Sequence, residues 1–401
     1  MKPFSFVHAS DLHLGYAQYG LEARRQDFDK AFEELVTRTI EFNPDFMIIA
    51  GDMFEQPRPA NNTLETAITS LNRLRKAGIP VLTVDGSHDS APNTITSTIL
   101  NPLDSAGLVW HLPRHEAACW KLPGSCYVYG IPNYRMRSKT EESLPAFMEQ
   151  NKPAPNPDQF NIFVFHMAID LPSIKPPYME AEVPPELIPN GFEYYAGGHI
   201  HETFVDKFKT GTLVYPGCTE TTQYAESQIR KGFYHVRVDE KKVAKPEFVE
   251  LESPRKFKVI EEDFTGVIPS KINDQAVQLV KENDSEGQVL IIVLKGTLPA
   301  EANRSEIDVS GIRSAAEKAL LVHPVVSLRE SEVPDEIVRS IFESEFKDLK
   351  AKAYEYFIQI FSDRQSRDEA ERIARTALSL IEPLIKKDEE EVTKALEELL
   401  R

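Results

Sequence analysis

The sequence predicts an α/β protein: a sheet flanked by helices, then a small α/β unit, then a helical tail. Three observations carry this. Short apolar runs alternate with helical spacing through the first 250 residues, a second strand–helix–strand block follows Ser253-Pro254, and from Pro334 the pattern is purely helical.

Phe4–Ala9, Phe46–Ala50, Val81–Asp85, Tyr127–Gly130 and Asn161–His166 are apolar runs of strand length and are predicted as buried strands. Between them Phe28, Ala31, Phe32, Leu35, Val36 and Ile40 recur at helical spacing, as do Leu64, Ile68, Leu71 and Leu74, giving two covering helices. From Glu193 to Glu252 the strand-like runs Tyr194–Gly198, Thr203–Lys209, Thr212–Tyr215, Gly232–Val238 and Glu247–Leu251 follow one another without a helix. They predict an antiparallel second half of the sheet. Beyond Ser253-Pro254 come a strand, a helix near Ile272–Glu282, the strand Gln288–Lys295, another helix and the strand Val325–Arg329. In the tail, Val338, Phe342, Phe346, Leu349, Ala353 and Phe357 stand at three- and four-residue steps, and Ser366-Arg-Asp-Glu369 matches a capping box. The expected domains are residues 1–252, 253–330 and 331–401. The tail's apolar stripe fits packing on the preceding domain and docking of a partner equally well.

Composition narrows the classes. At about one domain per 150 residues, 401 residues predict two or three domains, and 41% hydrophobic with 27% charged residues is the globular norm. The longest apolar runs, Phe46–Ala50 and Val289–Leu294, fall far short of the roughly 18 residues of a membrane span. His8, Ser10 and Asp11 interrupt the apolar start before it could serve as a signal peptide, so a cytoplasmic location is expected. Cys119, Cys126 and Cys218 are odd in number and lack metal-type spacing, which excludes a disulfide framework. A net charge of −17 excludes nucleic-acid binding through a global basic field.

Chemistry-bearing residues gather after the strands. Asp11 and His13 follow the first, Asp52 the second, and Gly86-Ser-His88-Asp89 the third; His166 ends the fifth, and His199 and His201 follow Tyr194–Ala196. Ligands of open α/β sheets bind beyond the carboxyl ends of strands, so these loops are expected to converge. A lone histidine at a strand end is usually structural, but five of the ten beside Asp11 and Asp52 favour a metal site. Imidazole and carboxylate without thiolate favour Mn²⁺, Fe²⁺ or Zn²⁺, and seven donors exceed the needs of one ion. Two ions sharing Asp52 would activate water for in-line displacement at phosphorus, with His88 suited to protonating the leaving oxygen. His8, His111, His115, His235 and His323 lack such a setting and are read as structural or surface residues.

In their order along the chain, Asp-x-His, Gly-Asp, Gly-x-His-Asp, a single His and Gly-His-x-His resemble the calcineurin-like metallophosphoesterase superfamily, whose fold is a two-sheet sandwich flanked by helices. Ser10-Asp-Leu-His-Leu-Gly15-Tyr16, Ala50-Gly-Asp-Met-Phe54 with Arg58-Pro59, Tyr195-Ala-Gly-Gly-His-Ile-His201, Tyr215-Pro-Gly217 and Lys231-Gly-Phe-Tyr234 narrow the resemblance to the meiotic-recombination-eleven/SbcD-type DNA double-strand-break repair nucleases. The resemblance implies that Asp11, His13, Asp52 and His201 hold one Mn²⁺, that Asp52, His166 and His199 hold a second, that His88 is catalytic, and that Asp89 supports the site from behind. It also implies DNA ends as substrate, a DNA-capping domain at 253–330, a homodimer formed through Leu64–Leu74 and Ile95–Leu103, and a coiled-coil ABC-type ATPase partner on the tail, through residues such as Phe342, Phe346, Leu349 and Phe357. The implied setting is the nucleoid of a prokaryote. One departure stands out: the family's Gly-Asn-His-Asp supplies an amide oxygen to the second metal, and this chain has Ser87. Arg58, Arg135, Arg137 and Lys139 are candidate DNA contacts, and the proline-rich Asp170–Pro189 a candidate cleft rim. Three functions stay open: a DNA nuclease, a phosphatase or cyclic-nucleotide phosphodiesterase, and a DNA-end scaffold impaired by Ser87.

Overall fold

The protein's structure, a computed structural model, describes residues 1–91, 97–171, 173, 181–300, 302–330, 354, 358, 367–369 and 371–376. The chain divides into two compact units, Met1–Lys258 and Val259–Arg401.

In the first unit the elements run β1 (Phe4–Ala9), α1 (Glu22–Phe42), β2 (Phe46–Ile49), α2 (Asn61–Lys76), β3 (Val81–Thr83), α3 (Leu100–Ser105), β4 (Trp110–His111), β5 (Cys119–Leu122), β6 (Cys126–Gly130), α4 (Arg137–Asn151), β7 (Phe160–His166), β8 (Tyr194–Gly198), β9 (Phe204–Phe208), β10 (Gly211–Tyr215), β11 (Gly232–Val238) and β12 (Ala244–Glu250). They form two six-stranded sheets, ordered β12-β11-β1-β2-β3-β4 and β5-β6-β7-β8-β10-β9.

Strand alternation builds the layers. Phe4 and Phe6 of β1, Phe46 and Ile48 of β2 and Phe160, Ile162 and Val164 of β7 share one buried cluster between the sheets. The alternate residues Val7, Ala9, Met47 and Ile49 pack with Phe32 and Leu35 of α1 and Leu71 of α2. Phe163 and Phe165 face the opposite way, into a third cluster. The apolar runs are therefore buried on both faces, which is why they read as continuous and not as alternating.

The antiparallel expectation for 193–252 needs correction. β8 pairs parallel with both β7 and β10, while β9 lies antiparallel to β10 at the edge. β9 itself acts as the crossover between two parallel strands, so absence of a helix did not imply an antiparallel neighbour. β11 and β12 are antiparallel but belong to the other sheet, beside β1. The sequence reading also passed over α4, a helix that runs through Pro145 and buries only Thr140 and Leu144.

The second unit holds β13 (Phe257–Asp263), α5 (Pro269–Glu282), β14 (Val289–Thr297), α6 (Val309–Arg313) and β15 (Leu321–Arg329). Its sheet runs β13-β14-β15, with Ile272, Ala276 and Val280 of α5 packed against Leu290, Ile292 and Leu294 of β14. Residues 367–369 and 371–376 are helical. Phe342, Phe346, Leu349, Phe357 and Ser366 lie outside the described residues, as does part of both Asp170–Pro189 and Ile95–Leu103. No helix among the described residues is long and apolar enough to cross a membrane.

One inward polar residue ties stability to pH. His8 is buried, with Nδ1 3.0 Å from the Tyr194 hydroxyl, and burial pushes its pKa down to about 3. The folded imidazole stays neutral where the unfolded one, near 6.5, takes a proton, so this contribution is lost as pH falls from about 6.5 toward 3. Replacing His8 by Gln removes the titration. The wild type is expected to lose about 2 kcal/mol relative to His8→Gln between pH 7 and pH 5 in denaturant unfolding, and parallel pH profiles would refute the assignment.

Candidate metal centre

The loops following β1, β2, β3, β7 and β8 meet at one end of the sandwich, and backbone bonds lock them together. Leu12 and His13 donate their N–H groups to the Asp52 carbonyl (2.9 and 3.1 Å), and Asp11 donates to the Gly51 carbonyl (3.2 Å). The buried Asp89 carboxylate accepts from the N–H of Gly86 and of Met53, both at 2.8 Å, and so joins the β3 loop to the β2 loop. Burial, with the neighbouring Asp52 and Asp85 charges, raises its pKa to about 7. Asp11, His13, Asp52 and His199 all adopt positive φ, at 55°, 48° or less in two cases, and 90°. Such strain in non-glycine residues persists where the surroundings fix it, and it clusters at functional sites.

Two donor groups result. Ligand atoms of Asp11, His13 and His201 lie within 4.8 Å of one another, as do those of Asp52, His166 and His199; Asp52 also groups with His13 and His88. Asp52 thus lies between the two sets, where a bridging carboxylate would stand. The ring nitrogens are already sorted. Nδ1 of His13 donates to Glu55 (2.9 Å), Nδ1 of His166 to the Ala50 carbonyl (2.8 Å) and Nδ1 of His201 to Glu226 (2.8 Å), leaving each Nε2 to face inward. Outer partners of this kind fix the tautomer of metal-binding imidazoles.

The inward atoms lack ordinary partners. Nε2 of His13 and of His201 face each other at 3.3 Å, and the buried Nε2 of His166 has no aligned hydrogen-bond partner, although Asp52 Oδ2 is 3.0 Å away. Lone pairs converging in a buried space call for a cation or protons. Burial lowers the pKa of His166, but the Asp52 and Asp11 charges outweigh it and raise it to about 10. Burial likewise opposes the His13 proton, yet Glu55, Asp52 and Asp11 raise its pKa. Asp52 is pushed up by burial and pulled further down by His166, His13 and His88. His199 is driven to about 4 by burial and the neighbouring His166, and is a neutral donor at pH 7. These residues fit divalent cations, which would replace the imidazole protons.

Ser87 and His88 both reach the carboxylate of Asp52. The Ser87 hydroxyl donates to Asp52 Oδ2 (3.1 Å) and the His88 N–H to Asp52 Oδ1 (2.7 Å). The His88 ring is at the rim, 43% exposed, edge-on to His13 at 4.8 Å, with Nδ1 3.2 Å from the Glu55 carbonyl. All four candidate DNA contacts, Arg58, Arg135, Arg137 and Lys139, are exposed. Arg135 donates to the Ser90 hydroxyl and carbonyl (2.7 and 2.9 Å) and, with Lys139, lines a cavity of about 710 Å³ beside the β3 loop. Arg137 is neutralised by Glu141 (3.0 Å) and Asp170 (2.9 Å), which weakens its candidacy.

Sequence reasoning missed Glu55, Glu182 and Glu226. Glu182, within the proline-rich stretch, accepts from the Ala168 N–H (3.1 Å) and lies 3.5 Å from His199 Nε2. No spacing announces these carboxylates. The nearest signal was the Lys231 motif, since Lys231 Nζ reaches Glu226 at 3.5 Å. The three cysteines are free, and Cys218 lies close enough to His201 and Glu226 to form a further donor group with them.

Residues 4–203 match the calcineurin-like phosphoesterase family. The chain is also similar to DNA double-strand break repair proteins Mre11. It is 28% identical over 337 residues to that of Methanopyrus kandleri, covering 81% of this chain and 70% of the relative. It is 29% identical over 341 residues to that of Archaeoglobus fulgidus, covering 77% and 72%. With the protein of Saccharolobus solfataricus identity reaches 33% over 198 residues, 49% of each chain. On both geometric and comparative grounds, the chain belongs to the calcineurin-like phosphoesterases, a family of metal-dependent enzymes.

Proposed function

We propose that this chain is a Mn²⁺-dependent DNA nuclease that processes double-strand-break ends, exo- and endonucleolytically, by two-metal phosphodiester hydrolysis. The observation that carries the reading is the pair of donor groups with Asp52 between them. Asp11, His13, Asp52 and His201 would hold one ion, and Asp52, His166 and His199, with Ser87 beside them, the other. When bound, such a pair supplies an activated water and neutralises charge on both oxygens of an in-line displacement.

The chain's own groups do the rest. The Ala50 carbonyl and the Glu55 and Glu226 carboxylates keep three imidazoles in the tautomer that presents Nε2. Asp89 holds the β2 and β3 loops at fixed separation. His88, solvent-accessible and with Nδ1 held by the Glu55 carbonyl, would as its imidazolium give the Nε2 proton to the leaving oxygen. The likeness to DNA double-strand break repair proteins and the added α/β unit favour DNA over a small phosphoester. In this reading residues 1–252 are the nuclease domain, 253–330 cap DNA, and 331–401 carry the coiled-coil ABC-type ATPase. The protein works as a homodimer on the nucleoid of a prokaryote. A second reading, a nuclease-impaired DNA-end scaffold, is favoured by the Ser87 hydroxyl standing at Asp52 where the family has an amide.

With Mn²⁺ supplied, linear duplex DNA is expected to be cleaved more efficiently than a small chromogenic phosphodiester. Turnover of the small ester with intact DNA would overturn the nuclease reading in favour of a phosphodiesterase. His88→Ala is expected to lower cleavage on the order of 10²-fold or more while retaining bound Mn²⁺ in a metal count. Parallel loss of metal would make His88 a ligand. Ser87→Asn is expected to tighten binding of the second Mn²⁺ by up to roughly 10–100-fold and to speed cleavage at limiting metal, with the gain fading at saturation. Equal titrations and rates would show the serine site complete and remove the support for a scaffold.

A further inference from the structure

The two sheets each end, on one side of the sandwich, in a strand with a single neighbour among the described residues: β4 beside β3, and β5 beside β6. The chain has two tryptophans, and both lie there, Trp110 on β4 and Trp120 on β5. Trp110 is 36% exposed, and its ring stacks on His115 with centroids 3.8 Å apart and planes at 16°.

The space around these rings is a groove. One cavity of about 630 Å³ is lined by Arg75, Trp110, Arg114, His115 and Trp120. Another of about 710 Å³ shares Trp110, His115 and Trp120 and adds Lys121, Tyr127 and Lys152. At its other end the groove touches, through Arg114, the cavity lined by Asp85 and Ser90 of the metal-site loop. The groove's charge is local and positive. Arg114 and His115 occupy the Asp104 carboxylate, each at 3.0 Å, which leaves Glu116 as the acid on this wall. Arg75 donates to the Ala106 carbonyl, Lys121 lies 5.0 Å from the Tyr127 ring centre, and neither they nor Lys152 has a carboxylate partner among the described residues.

Stacking surfaces interleaved with unpaired cations, on a chain of net charge −17, complement a polyanion that carries π faces. We infer that this groove holds a single-stranded segment of DNA, with a base stacked on Trp110 and phosphates met by Arg75, Lys121 and Lys152. The choice of nucleic acid rests on the nuclease reading. The groove's route past Arg114 gives a strand separated near the metal centre a place to lie.

Because both tryptophans line the groove, the protein reports its own occupancy. The full chain, in EDTA so that nothing is cleaved, is titrated with oligothymidylate while intrinsic fluorescence is followed. Saturable quenching that weakens with salt is expected. Trp110→Ala is expected to reduce affinity on the order of tenfold, with hydrolysis of a small chromogenic phosphodiester unchanged. Lys121→Gln with Lys152→Gln, both surface changes, is expected to shallow the log–log salt slope by roughly 0.7 per lysine. Absence of quenching, or unchanged affinity and slope in the variants, would overturn the inference. So would fluorescence that follows protein concentration without oligonucleotide, which would put a second copy of the chain in the groove. Quenching without DNA cleavage in Mn²⁺ would sink the nuclease reading and keep the groove; cleavage without quenching would do the reverse.

Discussion

The structure depends on keeping one buried carboxylate charged. Asp52 is 1% exposed, and an ionised group there is tolerated only when its lone pairs are met. The His88 N–H and the Ser87 hydroxyl donate to it, and Nε2 of His166 lies 3.0 Å from its Oδ2; these groups come from two different loops in two different sheets. Bringing those loops to one point leaves no room for side chains between them. A Cβ on Gly86 would fall 2.1 Å from Asp52 Oδ1, and one on Gly51, at φ +85°, would fall 2.4 Å from His166 Nδ1. The glycines beside the candidate ligands are consequences of that approach.

Support for the site extends well behind it. Arg24 of α1, fully buried, donates to Asp27 (2.6 Å), to Gln18 (2.9 Å) and to the Thr221 carbonyl (2.9 Å), while Gln18 donates to the Thr222 carbonyl (2.7 Å). Thr222 bonds Glu226 through its hydroxyl (2.9 Å), and Glu226 orients His201. A covering helix is thereby linked, through saturated polar contacts, to one imidazole of the metal centre. A buried guanidinium is costly unless every donor is used, so this chain of contacts is rigid or absent, with little between.

The parts legible in the sequence were those written in local order. β1, β2, β7 and β8 announced themselves because strands buried on both faces are continuous apolar runs, and Asp11, His13, Asp52, His166 and His199 follow at their ends. What stayed hidden was non-local. Glu55, Glu182 and Glu226 look like any surface glutamates until folding brings them to imidazoles as many as 42 residues away. The parallel pairing of β8 with β10 is set by which edge β9 occupies, and no periodicity encodes that. Ser87 was visible as a substitution, but only the structure shows its hydroxyl spent on Asp52.

Charge distribution then links the scaffold to its chemistry. An acidic chain repels DNA at long range, so a nuclease of this charge must take its affinity from contacts close enough to escape screening, within a Debye length of about 8 Å. The buried metal centre satisfies this, because cations held by Asp11, Asp52 and the imidazoles would sit where few counterions compete. Arg137 shows the opposite case: its charge is offset by Glu141 and Asp170 before any phosphate approaches. Binding built on such sparse, local cations should depend less steeply on salt than that of a basic protein, because fewer counterions leave the DNA.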